Sequence, residues 1–305
     1  MRTSSRNSTP AERLPIVVSH PDKVFWPEEG YTKLDLVEYY NAIFPKLEPY
    51  VKDRILTLER CVDGMGGECF FQKEMPKGMP PRTPTKRLEH EDSRGKFTDY
   101  VVGGSLTTQL ALANLGCIAV HVMASRAASP RQPDWVCFDL DPGAGKFADA
   151  ARAGMHIKAA LDQLNLVGFP KTSGSRGIHI LVPIRTGPDA DEVLAFAESF
   201  VARVAAAHPD ELTVDHSIAA RGERVYLDPF RNAFGQTVVA PYSVRRREHA
   251  PFSMPLDWSE VKPSLVPWNF NLGNFRQCLR GADPWKDFFG SRQSLKNAIA
   301  AVKRI

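Results

Sequence analysis

The chain has 305 residues, of which 43% are hydrophobic and 24% charged, and its formal net charge at pH 7 is +4. A chain of this length can bury most of its surface without metal or disulfide staples, and its composition is ordinary for a soluble globular protein. No apolar run approaches the ~20 residues of a membrane span, and residues 1–13 lack the apolar stretch of a signal peptide, so we expect a disordered tail there and no membrane partner.

Charge and cysteine usage narrow the class of protein further. The mildly basic balance permits nucleic acid as a partner but does not demand it. The five cysteines are scattered, and no two of them form a Cys-x-x-Cys pair. This pattern predicts reduced thiols in a cytoplasmic protein, without cysteine-bound zinc.

Apolar periodicity predicts the elements of the first part of the chain. We expect a helix over residues 33–47, which Thr32 can cap. Two short strands, in residues 55–61 and 68–73, flank a glycine-rich turn. Residues 76–95 are rich in Pro, Lys and Arg without a clear period, and we expect an exposed loop there. Residues 105–117 should form a helix that ends near Gly116.

From residue 134 onward the sequence alternates between strand-like and helix-like segments. The predicted strands are residues 135–141, 168–172, 178–184, 225–230 and 236–244. The predicted helices are residues 147–166 and 189–207, and the last 50 residues should form loops and a terminal helix. Strands with intervening helices predict an α/β or α+β fold.

Two carboxylates end the first of these strands, at Asp139 and Asp141. Residues i and i+2 of a strand point to the same face, so both side chains should project together while the residue between them is buried. Adjacent carboxylates repel each other, and a divalent cation such as Mg²⁺ or Mn²⁺ would relieve that repulsion. A second Asp-x-Asp pair, Asp189 and Asp191, opens a helix and is better explained by N-capping.

A Ser/Gly-rich turn follows, with the sequence KTSGSRGIH in residues 171–179. Small residues let backbone N–H groups approach phosphate oxygens, and Arg176 adds positive charge. The turn does not match the Walker pattern, and an ordinary tight turn between strands is the alternative interpretation. Farther along, Asp228 ends another apolar strand and Arg245 is expected near the end of the next. Three strand-terminal aspartates with a phosphate-type turn are typical of two-metal phosphoryl or nucleotidyl transfer.

In this order and spacing, the segments DLDPG, TSGSRGIH, YLDPFRN and QTVVAPYSVR resemble the polymerase domain of bacterial ligase D. That family belongs to the archaeo-eukaryotic primase superfamily and serves non-homologous end joining. The resemblance covers residues 14–290 and implies a primase-like catalytic core of mixed and antiparallel sheets flanked by helices. Within it we expect an N-terminal module at about 14–120, packed on a catalytic core at about 121–250. Residues 291–305 would form a C-terminal helix or tail.

The resemblance assigns roles to individual residues. It implies that Asp139, Asp141 and Asp228 are the metal-binding catalytic aspartates. It implies nucleotide-binding roles for Ser173, Arg176, His179 and Arg245, and for His121 beside the metal site. The family usually has Lys at the position of Arg176, and commonly has Gln at the position of Arg231.

The resemblance also implies contacts with DNA. Lys23 and Lys33 match lysines that grip a 5′-phosphate, and Phe70 and Phe71 match aromatic residues that stack near the templating base. Because Phe70 and Phe71 are adjacent in a strand, they should face opposite ways. We expect one of them in the core and the other on a stacking platform, and the sequence does not say which.

The motifs and the resemblance together predict a template-directed nucleotidyltransferase that fills gaps or extends ends during non-homologous end joining. It would use two Mn²⁺ or Mg²⁺ ions and NTP or dNTP substrates, with a preference for ribonucleotides, and be nucleoid-associated. The ligase motif Lys-x-Asp-Gly is absent, so we expect a stand-alone polymerase that works with a separate ATP-dependent ligase and a Ku-like protein. The alternatives are a non-catalytic DNA-end-bridging module and a metal-dependent phosphodiesterase or nuclease.

Overall fold

Two β-sheets flanked by helices form the centre of the protein in the computed structural model, which describes residues 14–90, 93–143 and 145–302. The predicted mixed α/β class is confirmed, while the tail predicted for residues 1–13 lies outside the described residues. Within the described ranges, none of the helices is both long and apolar enough to cross a membrane.

The elements are numbered in chain order. The strands are β1 (Val24–Trp26), β2 (Tyr31–Thr32), β3 (Arg54–Cys61), β4 (Cys69–Gln72), β5 (Thr85–His90), β6 (Ser93–Val101), β7 (Cys117–Arg126), β8 (Trp135–Asp141), β9 (Phe169–Thr172), β10 (Ile178–Pro183), β11 (Leu212–Thr213), β12 (Val225–Asp228) and β13 (Val238–Val239). The helices are α1 (Lys33–Val51), α2 (Leu106–Asn114), α3 (Phe147–Gln163), α4 (Ala190–Ala207), α5 (Ile218–Arg221), α6 (Phe275–Cys278) and α7 (Lys296–Ala301).

The first sheet has the strand order β11-β12-β8-β10-β9. Its strands β8, β10 and β12 pair antiparallel, and their register places Asp139 between Asp228 on one side and His179 on the other. Helices α3 and α4 pack on this sheet. Leu140 is fully buried between the two carboxylates of β8, as the alternation of a strand requires.

The second sheet has the order β13-β7-β3-β4. Strand β13 comes from residues 238–239 and pairs with β7, so a late segment completes a sheet built mostly from the first half of the chain. The pairing sets Val239 opposite His121. The segment that leads to Arg245 is therefore hydrogen-bonded to the sheet of the N-terminal part through β13.

Most predicted elements are confirmed, with shifted ends. Thr32 caps α1 as predicted, and its hydroxyl accepts a hydrogen bond from the backbone N–H of Asp35. The helix continues beyond the predicted end to Val51, through Pro45 and Pro49. A proline inside a helix removes a hydrogen bond, but burial of the last turn compensates for that loss. The Tyr50 ring packs edge-on against two aromatic rings of the C-terminal segment, Trp285 and Phe288.

The exposed loop predicted for residues 76–95 is wrong from residue 85 onward. Strands β5 and β6 form an antiparallel hairpin there. Arg87 lies opposite Asp99 and forms a bidentate ion pair with it. Many of the hairpin side chains are exposed and charged, so the strands lack the alternation of apolar residues that would have revealed them.

The prediction that all cysteines are reduced is also wrong for one pair. Cys61 at the end of β3 and Cys69 at the start of β4 lie opposite each other, and they form a disulfide. The hairpin register brings their Cα atoms within 4.3 Å, a proximity that their spacing in the sequence does not reveal. Cys117, Cys137 and Cys278 are free thiols.

Candidate active site

The three aspartates lie at one end of the first sheet. Asp139 and Asp228 are opposite each other in the β8–β12 register, and Asp141 is one pleat farther along β8 on the same face. Backbone N–H groups hold two of the carboxylates, because Asp141 accepts from Gly143 at 2.9 Å and Asp228 accepts from Phe230 at 2.8 Å. The turn after each strand therefore orients the carboxylate at the end of that strand.

Two arginines neutralise this acidic cluster. The Nε of Arg231 lies 3.1 Å from an oxygen of Asp139 and 3.4 Å from one of Asp228. Arg221 lies 3.4 Å from the outermost carboxylate, that of Asp141. The sequence had drawn attention to Arg231 only as a departure from a family pattern and had not indicated Arg221 at all.

The electrostatic environment drives the pKa values of the two facing carboxyl groups apart. Burial by itself would raise the pKa of Asp139, but its contacts with His179 and Arg231 outweigh burial and hold that pKa well below the usual range. Burial and the neighbouring charge of Asp139 raise the pKa of Asp228. The second charge is harder to form beside the first, and this repulsion together with burial outweighs the nearby charge of Arg231 at Asp228.

His179 lies between Asp139 and a buried lysine. Its Nε2 is 3.3 Å from an Asp139 oxygen, and its Nδ1 is 2.9 Å from the Nζ of Lys171, which also donates to the hydroxyl of Ser253 at 2.6 Å. Burial lowers the pKa of His179 to about 4 and that of Lys171 to about 7. Because Lys171 donates to Nδ1, the proton of a neutral imidazole resides on Nε2 and faces Asp139. The β9–β10 hairpin register, Lys171 opposite His179, could have revealed this pair.

The Ser/Gly-rich turn between β9 and β10 is closed by its own hydrogen bonds. The hydroxyl of Ser173 accepts from the backbone N–H groups of Ser175 and Gly177, at 3.2 and 3.1 Å. The guanidinium of Arg245 donates to the backbone oxygen of Ser173 at 2.9 Å. Arg245 follows an isolated bridge at Val244 rather than a long strand, since β13 is shorter than the strand predicted for residues 236–244. The turn and the arginine form one cationic cradle.

His121 and Phe71 face the site from the second sheet. The two rings pack edge-on with their centroids 5.3 Å apart. Burial lowers the pKa of His121 to about 4, although Glu59 at 3.7 Å acts in the opposite direction. The Nε2 of His121 has no hydrogen-bond partner among the described residues. The low pKa keeps this histidine neutral at pH 7.

Phe70 and Phe71 are both exposed, by 42% and 62%, so the expectation that one of them lies in the core is wrong. Both faces of β4 are accessible because β4 is an edge strand of its sheet. Phe70 lies on the other face, with the guanidinium of Arg60 at 5.6 Å from the centre of its ring. Of the two aromatics, Phe71 faces the site.

A single cavity of about 680 Å³ collects most of the predicted site residues. It is lined by nine of them: Phe71, His121, Asp139, Asp141, Ser173, Arg176, His179, Asp228 and Arg245. It is also lined by residues that the sequence did not single out, among them Tyr226, His216 and Gln236. Phe70, Lys23 and Lys33 do not line it.

Lys23 and Lys33 form a separate cationic site. The backbone N–H of Lys33 donates to the carbonyl oxygen of Lys23 at 2.8 Å, across the β1–β2 hairpin. The buried Nζ of Lys33 donates to the backbone oxygen of Ser19 at 2.7 Å, and Lys23 forms an ion pair with Asp63. Burial and the charge of Lys23 lower the pKa of Lys33. Two neighbouring ammonium groups favour an anion between them.

A second cavity of about 510 Å³ adjoins the first, since Ser175, Arg176 and Arg247 line both. Arg246, His249 and the exposed ring of Trp268 also line it. The indole of Trp26, just beyond Lys23, donates to the backbone oxygen of Arg247 at 3.0 Å. A basic surface with aromatic side chains therefore extends from the aspartates toward the hairpin that carries the lysine pair.

The donor set at the aspartates fits divalent metal ions. Three carboxylates line one cavity and offer the hard oxygen ligands that Mg²⁺ and Mn²⁺ prefer. Burial and then the charge of Asp139 raise the pKa of Asp228, which marks a place where an added positive charge is favourable. Arg231 and Arg221 supply positive charge to these carboxylates.

Carboxylates on adjacent strands facing a cationic Ser/Gly turn define a protein that binds a phosphate-bearing substrate with divalent metal ions. The family model described as "LigD, primase-polymerase domain" matches residues 32–285. The match spans most of the chain, so the protein belongs to this family.

Individual relatives agree with the family assignment. The chain is 29% identical to the multifunctional non-homologous end joining protein LigD of Pseudomonas aeruginosa, over 98% of this chain and 36% of the relative. It is 30% identical to the bifunctional protein LigD of Bacillus subtilis, over 89% of this chain and 44% of the relative. The chain thus spans less than half the length of either.

A solved structure shares the fold. The polymerase domain of Mycobacterium tuberculosis ligase D, in complex with DNA, superposes with a TM-score of 0.83 and 25% identity. The match covers 92% of this chain and 100% of that chain. The primase-polymerase fold expected from the resemblance is confirmed.

Proposed function

We propose that the protein is a DNA-dependent nucleotidyltransferase that extends a primer at gaps or broken ends during non-homologous end joining. The observation that carries the proposal is the pairing of Asp139 with Asp228 in one cavity with the Ser173 turn and Arg245. A nuclease would need the carboxylates but has no requirement for a triphosphate cradle beside them.

In the proposed reaction, the 3′-hydroxyl of a primer attacks the α-phosphate of a nucleotide, a new P–O bond forms and pyrophosphate leaves. Divalent ions held by Asp139, Asp141 and Asp228 would lower the pKa of the hydroxyl and neutralise the phosphates. Ser173, Arg176 and Arg245 hold the triphosphate through a hydroxyl and two guanidinium groups.

The residues around the carboxylates position them. His179, held by Lys171, donates to Asp139 and orients the oxygen it contacts. Neutral His121 lines the cavity, where its ring can contact the bound nucleotide. Phe71 offers an exposed ring for the templating base, because stacking on an aromatic face tolerates any base.

The DNA would follow the basic surface from the active-site cavity to the lysine pair. Lys23 and Lys33 would hold the 5′-phosphate on the far side of a gap. The relatives named above are non-homologous end joining proteins, which supports the same pathway here. We carry over a preference for ribonucleotides, and we propose a separate ATP-dependent ligase and a Ku-like end binder as partners.

Primer extension on gapped DNA tests this proposal. The substrate carries a 5′-phosphate downstream, and the reactions contain Mn²⁺ with either ribonucleotides or deoxyribonucleotides. The chain supplies a matched control in its second Asp-x-Asp pair. Asp139→Asn/Asp141→Asn should abolish extension, whereas Asp189→Asn/Asp191→Asn should preserve it, because Asn also caps a helix.

A second arm tests the lysine pair. Lys23→Ala should weaken binding to gapped DNA with a 5′-phosphate and leave binding to the same DNA with a 5′-hydroxyl unchanged. Lys158→Ala, which removes a lysine paired with Asp162 on α3, is the control.

The outcomes separate the rival functions. Degradation of the primer by the wild type, lost in Asp139→Asn/Asp141→Asn, would replace the polymerase by a nuclease. Tight binding that depends on the 5′-phosphate, without extension by either nucleotide class, would favour an end-bridging module.

A further inference from the structure

Two histidines and a glutamate lie together outside the active-site cavity. His156 is on α3, His208 ends α4, and Glu211 lies in the turn that leads into β11. One potential ligand atom from each residue lies within 4.8 Å of the others. None of the three lines the cavity of the aspartates.

The three side chains of this cluster contact one another. The His156 and His208 rings are stacked with their centroids 3.7 Å apart, and the His156 Nε2 is 3.5 Å from one oxygen of Glu211. Stacked imidazoles give each other no hydrogen bond. A metal ion would take both rings as neutral ligands after a side-chain rotation out of the stack turns one nitrogen of each ring toward the same point.

The backbone holds the cluster in place. The carbonyl oxygen of His208 accepts from the N–H of Glu211 at 3.1 Å, and this turn brings the carboxylate back beside the imidazole. Arg152, one turn before His156 on α3, lies 3.7 Å from the other carboxylate oxygen of Glu211. The arginine thereby orients the glutamate and leaves its first oxygen to the histidines.

From this geometry we propose that His156, His208 and Glu211 bind a divalent transition-metal ion, with Zn²⁺ as the probe. Two imidazole nitrogens and one carboxylate oxygen form a zinc donor set that leaves the fourth position to water. The set differs from the all-oxygen aspartate site, so the two sites should select different ions.

The bound ion would fasten helices α3 and α4 to the edge of the catalytic sheet. The carbonyl oxygen of Glu211 accepts from the N–H of Val225, the first residue of β12. Strand β12 ends at Asp228, so the proposed site lies at the opposite end of a strand that carries a catalytic carboxylate. We assign it a stabilising role rather than a chemical one.

Calorimetric titration with Zn²⁺ tests the proposal on untagged, chelator-treated protein. The background variant is Asp139→Asn/Asp141→Asn, which weakens metal binding at the active site. We expect one Zn²⁺ per chain in this background, with affinity reduced about 100-fold in His156→Gln or His208→Gln. Zn²⁺ in excess should raise the unfolding temperature by roughly 5 °C in the background and leave it unchanged in the histidine variants.

His249→Gln is the matched control, because His249 also pairs with a glutamate, Glu29, at 3.1 Å, but among the described residues it shares no cluster of this kind with a second histidine. Zn²⁺ binding that survives in the His156 and His208 variants, or that His249→Gln removes equally, would overturn the proposal. Glu211→Gln changes an exposed side chain and keeps the test decisive if a histidine variant fails to fold: unaltered Zn²⁺ affinity there would exclude the three-ligand site.

Discussion

Asp139 and Asp228 lie opposite each other on neighbouring antiparallel strands, and the side chain of Arg231 contacts both. The arginine supplies the positive charge that two adjacent carboxylates require, in the place where a metal ion would also be favoured. Arg231 therefore stabilises the two carboxylates and also competes with metal ions for them.

Replacing Arg231 should relieve this competition. We expect Arg231→Gln to lower the Mn²⁺ concentration for half-maximal primer extension by about two- to fivefold, since a partly exposed ion pair contributes about 1 kcal/mol or less. A Mn²⁺ titration of the initial rate measures the shift. Arg224→Gln removes the same charge from a residue bonded to backbone oxygens of α5, and its Mn²⁺ requirement should stay unchanged. A higher Mn²⁺ requirement in Arg231→Gln would mean that the arginine helps to hold the metal or the nucleotide.

The two aromatics of β4 should contribute unequally to template binding. Phe71→Ala removes the ring that packs on His121 in the cavity, and it should reduce templated extension by about tenfold or more, because stacking of one base contributes about 1–3 kcal/mol. Phe70→Ala removes a ring that lies under Arg60, and its effect should be much smaller. Extension rates at subsaturating DNA compare the two variants. Equal losses would place the template on both faces of β4.

A methyl group at Gly174 should disturb the cationic cradle formed by the Ser173 turn and Arg245. Gly174 has a φ of +68°, and an added Cβ would lie 2.5 Å from the Cγ of Arg245. Displacing that side chain should raise the KM for the nucleotide about tenfold, with strain of about 1–3 kcal/mol at the turn. Gly30→Ala is the control, because Gly30 has a similar φ of +73° and an added Cβ there would have no atom within 4 Å. Steady-state kinetics should show a raised nucleotide KM in Gly174→Ala, and a normal value there would refute the cradle.

The two buried histidines should make folding sensitive to acid. Burial lowers the pKa of His121 and His179 to about 4, whereas an unfolded histidine has a pKa of about 6.5. Between these pH values the unfolded chain binds more protons, so the free energy of unfolding should fall as the pH drops, by about 1–3 kcal/mol per histidine. Urea unfolding at pH 7 and pH 5 measures the loss.

A substitution assigns this effect to the buried rings. The difference in stability between pH 7 and pH 5 should be smaller in His121→Gln than in the wild type. An identical difference in both proteins would show that His121 does not titrate on unfolding.

The sequence by itself determined the local elements and the candidate site residues. The apolar run of β8, the cap at Thr32 and the small residues of the Ser173 turn follow from strand alternation, capping and turn sterics, which act over a few residues. The family resemblance added roles to these residues. Nine of the predicted site residues line one cavity, although their individual roles remain predictions.

Only the tertiary structure decided which residues meet across the chain. Arg231 bridges two strands, Lys171 supports His179 from inside the core, and the Cys61–Cys69 disulfide depends on a hairpin register. The β5–β6 hairpin and the exposure of both Phe70 and Phe71 depend on pairing and on the position of β4 at a sheet edge. These features arise from contacts between different segments of the chain. The sequence did not reveal them, because periodicity within one segment carries no information about which segment it pairs with or in which register.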